Sequence, residues 1–134
     1  MKTASIILTL VIGVLIFSNA SCQQAGKDSI TSISAPDFKK LVDSNSGVLL
    51  DVRTPEEYAE GHIKGALNID YRNENFKQEI EKLDKSKNYN VYCRSGGRSM
   101  NAATIMTEMG FKNTTNLEGG IIDWKAAGFE VQKK

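Results

Sequence analysis

Short apolar runs with strand character alternate with stretches of helical spacing along most of this 134-residue chain, and that alternation restricts its fold more than any other feature. Strand candidates are Ser32-Ile33, Val48 to Leu50, Leu67 to Ile69, Asn90 to Tyr92, and a short one near Thr115 to Leu117. Helical patterns separate them. Ser34 with Asp37 and Thr54 with Glu57 fit the capping-box pattern, and Pro55 stands at a first helical position, where its missing N–H costs nothing. Phe76, Ile80 and Leu83 mark one face of a helix from about Glu74, closed by the polar turn Asp84 to Lys87. A further helix is expected from Ser99 to Met109, with Gly110 as its stop, and Ile121, Ile122, Trp124 and Ala127 have the spacing of a short amphipathic helix packing on a sheet. Such alternation predicts an α/β domain of three α/β/α layers, with a parallel sheet between helices.

The run Cys93-Arg94-Ser95-Gly96-Gly97-Arg98-Ser99 lies where one of these strands meets the next helix. Successive backbone N–H groups in such a turn form an anion-binding concavity, and the helix that follows adds partial positive charge from its N-terminus. Arg94 and Arg98 bring two permanent cations. A thiol in that setting loses its proton more easily than a free cysteine, whose pKa is about 8.5, and becomes a nucleophile near neutrality. The competing reading is a buried filler cysteine.

Three stretches resemble the rhodanese, or sulfurtransferase, family: Asp51-Val52-Arg53 with Thr54-Pro55-Glu56-Glu57-Tyr58; Gly61-His62-Ile63-Lys64-Gly65-Ala66-Leu67-Asn68-Ile69; and Val91-Tyr92-Cys93 to Ser99. A fourth, Leu117-Glu118-Gly119-Gly120 with Trp124 and Gly128 downstream, is similar to that family's closing segment. The resemblance implies a five-stranded parallel sheet with the strand before Cys93 at its centre, and a shallow pocket rimmed by the cysteine loop and the segments after Arg53 and Glu118. It implies that Cys93 takes a sulfane sulfur from a donor such as thiosulfate, holds it as a persulfide, and hands it to an acceptor such as cyanide or a thiol. The loop residues Arg94, Ser95, Gly96, Gly97, Arg98 and Ser99 would cradle that sulfur. Asp51 and Arg53, at the end of a strand, are implied to be supporting rather than catalytic, and His62, the only histidine, to be structural. Arg98 could alternatively brace the loop.

Loop length separates two chemistries. Cysteine phosphatases on a related fold place the arginine one residue further along, around a tetrahedral phosphate. Here four residues stand between Cys93 and Arg98, a tighter ring suited to one sulfur anion, so sulfur transfer is expected over phosphate or arsenate chemistry. A non-catalytic binding module on the same fold is the alternative from another class. One histidine and two distant cysteines do not make the usual zinc ligand sets, and no dinucleotide or phosphate-loop fingerprint is present, so neither metal nor cofactor is expected. No basic stripe with interleaved aromatics points to nucleic acid.

The chain begins with Met1-Lys2, an apolar stretch from Ile6 to Phe17 and the small or polar residues Ser18 to Cys22. That apolar run suits a secretory signal and falls short of the ~20 residues a membrane-spanning helix needs. Cys22 after small residues resembles a bacterial lipoprotein box, with Asn19 departing from the pattern; cleavage after Ala20 is the alternative. Residues 1–21 are therefore expected to be a signal peptide, 22–30 a polar tether, and 31–134 one domain on the periplasmic side of a bacterial membrane, lipid-anchored or soluble. Of 17 basic residues only Lys2 lies in the signal, so 16 then face 16 acidic ones, and near-neutrality gives no reason to expect nucleic acid or an acidic membrane as the main partner; the partners implied by the family resemblance are small sulfur anions and a thiol or protein acceptor. Expressed in a bacterium, the chain should partition with membranes and Cys22→Ser should move to the soluble periplasmic fraction; equal partitioning of the two would remove the lipid anchor.

Overall fold

The computed structural model describes residues 29–134, so the expected signal, the Cys22 lipidation site and most of the tether lie outside the described residues. Five strands alternate with five helices: β1 (Ser29–Ile33), α1 (Ala35–Asp43), β2 (Val48–Asp51), α2 (Pro55–Glu60), β3 (Leu67–Asn68), α3 (Phe76–Glu81), β4 (Asn88–Tyr92), α4 (Gly97–Glu108), β5 (Asn113–Leu117) and α5 (Gly120–Ala126). All pairings among these five strands are parallel, in the order β1-β5-β4-β2-β3, so β4 is central and carries Cys93 at its carboxyl end. That is the edge of a parallel α/β sheet where ligand crevices form.

Side chains of β4 alternate between two apolar clusters, as the two-residue period of a strand requires. Tyr89, Val91 and then Cys93 join Leu50, Val52, Phe76, Ile80, Ala102, Met106 and Phe111 beneath α3 and α4. Tyr92 points the other way, into Phe38, Leu49, Ile63, Leu117, Ile121 and Trp124 beneath α1 and α5. Trp124 is core, as its spacing suggested: its ring packs edge-on against Phe38 and Phe129, and Nε1 donates to the Glu130 carbonyl at 2.9 Å. Ile122 and Ala127 depart from the expected packing face. Both are exposed, Ile122 by 44 %, because α5 is a single short helix whose inner side is filled by Ile121 and Trp124.

Several boundaries differ from those expected. β1 starts three residues earlier, pairing with β5 from Ser29 onward. β3 is reduced to Leu67–Asn68 as an edge strand, with Leu67 half exposed, while Ile69 continues the pairing by donating to the Asp51 carbonyl at 3.0 Å. Helix α3 begins only at Phe76, and Leu83 packs on the core from beyond its end. Of the two capping boxes, Thr54–Glu57 forms in both directions. Ser34 instead donates to the Asp37 carboxylate at 3.3 Å, and no amide bonds to its hydroxyl. Pro36 in that first turn has already removed one of the donors a cap would satisfy.

Helix α4 starts at Gly97, two residues before the expected Ser99, so Arg98 belongs to its first turn. Gly96, with φ of +99°, is the left-handed residue that lets the strand turn directly into a helix. On the opposite face Tyr92 ties β4 to the turn after α2: its hydroxyl oxygen accepts the buried Ile63 N–H at 3.0 Å. Burial, and then the charge of Asp51, push this phenol's pKa well above its usual value, so it stays protonated. Tyr92→Phe leaves the Ile63 amide without its partner and should cost about 1–3 kcal/mol of stability in urea unfolding; an unchanged midpoint would show that the bond contributes nothing net.

Candidate active site

Cys93 follows the last residue of β4, and its loop closes within three residues into α4. The Sγ atom accepts the Gly96 N–H at 3.1 Å and lies 3.4 Å from the Ser99 hydroxyl. Cys93 keeps only 1 % of its surface exposed, a deeper position than the shallow, accessible one expected. The cause is its inward direction: Sγ sits over the α4 cluster with Ala102 and Val91, under its own loop. Burial by itself pushes the thiol pKa up. Hydrogen bonds from the Ser99 hydroxyl and from the amides of Ser99, Gly96 and Ser95 outweigh it and bring the pKa below the ordinary cysteine value. A filler cysteine would feel the first effect without the second.

The loop holds this shape because its carbonyls are occupied from outside. Ile121 N–H donates to the Cys93 carbonyl at 2.9 Å and Ile122 N–H to the Arg94 carbonyl at 3.2 Å, both from the start of α5. With the carbonyls turned towards α5, the amides face the sulfur. Gly120, at φ of +61°, is where the two segments meet: a Cβ there would stand 2.4 Å from the Arg94 carbonyl oxygen and 2.6 Å from that of Cys93. The Gly119-Gly120 pair thus has a steric reason to be glycine.

The two arginines have different duties. Arg94 is exposed, and among the described residues no side chain pairs with it, so its guanidinium is available to an incoming anion. Arg98 forms a two-pronged ion pair with Glu57 of α2, at 2.7 and 2.8 Å, and therefore braces the loop, the second of the two roles open to it. Its hydrogen bonds hold the Glu57 carboxyl down to about 2. Glu57 also caps α2, accepting the Thr54 N–H at 3.0 Å, so one carboxylate joins α2 to the cysteine loop.

Asp51 and Arg53 form a buried pair, with Arg53 Nη2 2.7 Å from Asp51 Oδ2 and 2.7 Å from the Gly61 carbonyl. Asn68 Nδ2 completes the junction by donating to the carbonyls of Asp51 and Arg53 at 3.1 and 2.8 Å. The Arg53 bonds fasten the end of β2 to the turn after α2, the Asn68 bonds fasten it to β3, and none reaches Cys93. His62 is buried, stacked on Tyr58 at 3.7 Å between centroids, with Nδ1 2.9 Å from the Tyr58 carbonyl.

Glu57, Asn116 and Gly120 matter to the site beyond what sequence reasoning assigned them. Glu57 was legible only as a cap, since 41 residues separate it from Arg98. Asn116 left one signal, a polar side chain in a strand expected to be covered on both faces. A cavity of about 540 Å³ opens on the other side of the sheet, lined by Val42, Ile63, Lys64, Trp124 and Phe129, with no residue of the cysteine loop in its wall.

A thiol at the carboxyl end of the central strand of a parallel α/β sheet, facing loop amides and backed by an arginine brace, is the feature that defines this class of domain. The chain belongs to the rhodanese-like domain family, whose sequence model matches residues 34–127. It is 42 % identical over 97 residues to a protein of Bacillus subtilis named a putative sulfurtransferase, covering 72 % of this chain and 91 % of that one. It is 30 % identical over 125 residues to the thiosulfate:glutathione sulfurtransferase of Saccharomyces cerevisiae, covering 84 % of this chain and 90 % of that one. Among solved structures, a rhodanese-related protein of Thermoplasma volcanium superposes with a TM-score of 0.69 at 30 % identity, over 78 % of this chain and 99 % of the other.

The Glu57–Arg98 pair generates a pH dependence with a definite sign. The folded-state pKa of Glu57, about 2, lies below its unfolded value of 4.5, so the stabilisation is complete above about pH 4.5 and lost as pH falls towards 2. The pair is partly solvated, and screening reduces the effect to roughly 1–2 kcal/mol. Glu57→Gln should lower stability by that amount at pH 7 and converge with the native protein near pH 2 in urea titrations; parallel curves across the range would mean the pair is not the cause.

Proposed function

We propose that this chain is a sulfurtransferase that carries a sulfane sulfur as a persulfide on Cys93. The observation that supports it most is the balance at Sγ, where three amides and a hydroxyl overcome the penalty of nearly complete burial. A buried thiolate is costly unless hydrogen bonds or opposite charge compensate it, and a thiol compensated in this way is the nucleophilic kind.

In the first half-reaction the Cys93 thiolate attacks the outer sulfur of thiosulfate. An Sγ–S bond forms, the S–S bond of the donor breaks, and its electron pair leaves with sulfite. Arg94 meets the donor's sulfonate and the departing sulfite, since it is the exposed guanidinium of the loop. The negative charge then rests on the outer sulfur, where amides already oriented by the clamp from α5 stabilise it without rearrangement. In the second half-reaction an acceptor, cyanide or a thiolate, attacks that outer sulfur, takes it, and returns the electron pair to Sγ. No general base is required, because the loop supplies the ionised thiol, and the kinetics are ping-pong. Four residues between Cys93 and Arg98, and an Arg98 committed to Glu57, leave no second free guanidinium for a phosphoryl group. Action outside the cytoplasm is part of this proposal and rests on the sequence of residues 1–22 alone.

Incubation with thiosulfate should add the mass of one sulfur atom to the intact protein, removable by cyanide as thiocyanate and absent in Cys93→Ser. No adduct and no thiocyanate would instead assign the domain to binding without catalysis.

A further inference from the structure

The Ser99 hydroxyl has one proton and three acceptors within reach. Asn116 Oδ1 is nearest at 2.6 Å, followed by the Gly96 carbonyl at 3.1 Å and Cys93 Sγ at 3.4 Å. Ser99 and Asn116 are both buried, so water does not supply the acceptors that go without. Across the amide, Asn116 Nδ2 donates to the exposed Ser32 hydroxyl of β1 at 2.9 Å, which directs Oδ1 towards Ser99. A neutral chain therefore runs from edge strand β1 through β5 to the sulfur.

We propose that Asn116 is a positioning residue for Cys93: it holds the Ser99 proton away from an uncharged Sγ and yields it when Sγ carries the negative charge. The inference rests on the sulfurtransferase reading and deepens it. In the protonated thiol, and again in the persulfide, where the charge lies on the outer sulfur, Sγ is uncharged and Asn116 keeps the proton. In the bare thiolate between these states the hydroxyl turns to Sγ and Asn116 Oδ1 is left without its donor. Asn116 thus disfavours the bare thiolate relative to the loaded and the protonated forms. The effect drives sulfur uptake once thiolate forms, and limits the population open to oxidation. The charged group coupled to the sulfur is Arg98 of α4, with Glu57 of α2 and Asp70 acting on that guanidinium, while Arg94 of the loop is exposed. Ser32, Asn116 and Ser99 add no charge, so their influence is one of hydrogen-bond direction.

The test is the pH profile of iodoacetamide alkylation in the full chain, followed on the peptide that carries Cys93. Asn116→Leu removes the competing acceptor and should lower the apparent thiol pKa, raising the alkylation rate on the acid side of the titration about three- to tenfold. In a Ser99→Ala background the same substitution should have no effect, which a merely structural role would not predict. Ser32→Ala, at an exposed position that leaves the core untouched, should shift the profile in the same direction by less, and carries the test alone if Asn116→Leu does not fold. An unchanged profile, an upward shift, or an equal shift without Ser99 overturns the proposal. Alkylation reads ionisation and needs no sulfur transfer. Absence of the persulfide adduct with the predicted shift intact would overturn the sulfurtransferase reading and leave the role of Asn116 standing.

Discussion

The pair of backbone hydrogen bonds from the first turn of α5 to the carbonyls of Cys93 and Arg94 is the constraint on which the site depends. A peptide plane has its N–H and C=O on opposite sides, so fixing where the carbonyls point also fixes where the neighbouring amides point. Held from behind by Ile121 and Ile122, the loop turns its donors to the sulfur before any ligand arrives. That preorganisation is what electrostatic stabilisation of an anion requires, because no reorientation remains to be done when the charge appears. It also explains why the segment after β5 belongs to the site although no side chain of Gly119 or Gly120 exists to touch a substrate. The absence of a Cβ is their contribution.

Around this clamp, charge is distributed with economy. Two cations follow Cys93 in the loop, yet Arg98 is neutralised by Glu57 and acts as a strut between α4 and α2. Asp51 and Arg53 neutralise each other where β2 meets the turn after α2. Neither pair leaves a net charge near Sγ. The thiol is tuned chiefly by dipoles, in the form of amides and one hydroxyl, with Arg94 left for the solvent side. Dipoles held by the fold are less open to salt screening than surface charges.

The chain's alternating pattern, its strand–loop–helix around Cys93, the Thr54–Glu57 cap and the core role of Trp124 were all legible in the order of residues, because each depends on neighbours within a few positions. Local spacing decides periodicity, and a glycine in a loop announces a turn whatever the rest of the chain does. The same locality explains the errors. The cap expected at Ser34 did not form, since a serine near an aspartate has two uses for its hydroxyl, and the exposure of Ile122 followed from how little of a two-turn helix fits against the sheet. The family motifs marked Arg98 but left two roles open, and only its distance to Glu57 separated them.

By itself, then, the sequence determined the α/β class and the strand–loop–helix that carries Cys93 and its glycine-arginine turn, because those follow from short-range order along the chain. Tertiary structure decided that Cys93 faces the core rather than open solvent, that Arg98 answers to Glu57, and that Ser99 shares one proton between the sulfur and Asn116. These are contacts between elements distant in sequence. They arise from the crossing order of the sheet, which places β5 between β1 and β4, and from the ion pair that joins α2 to α4, and no local pattern encodes that meeting.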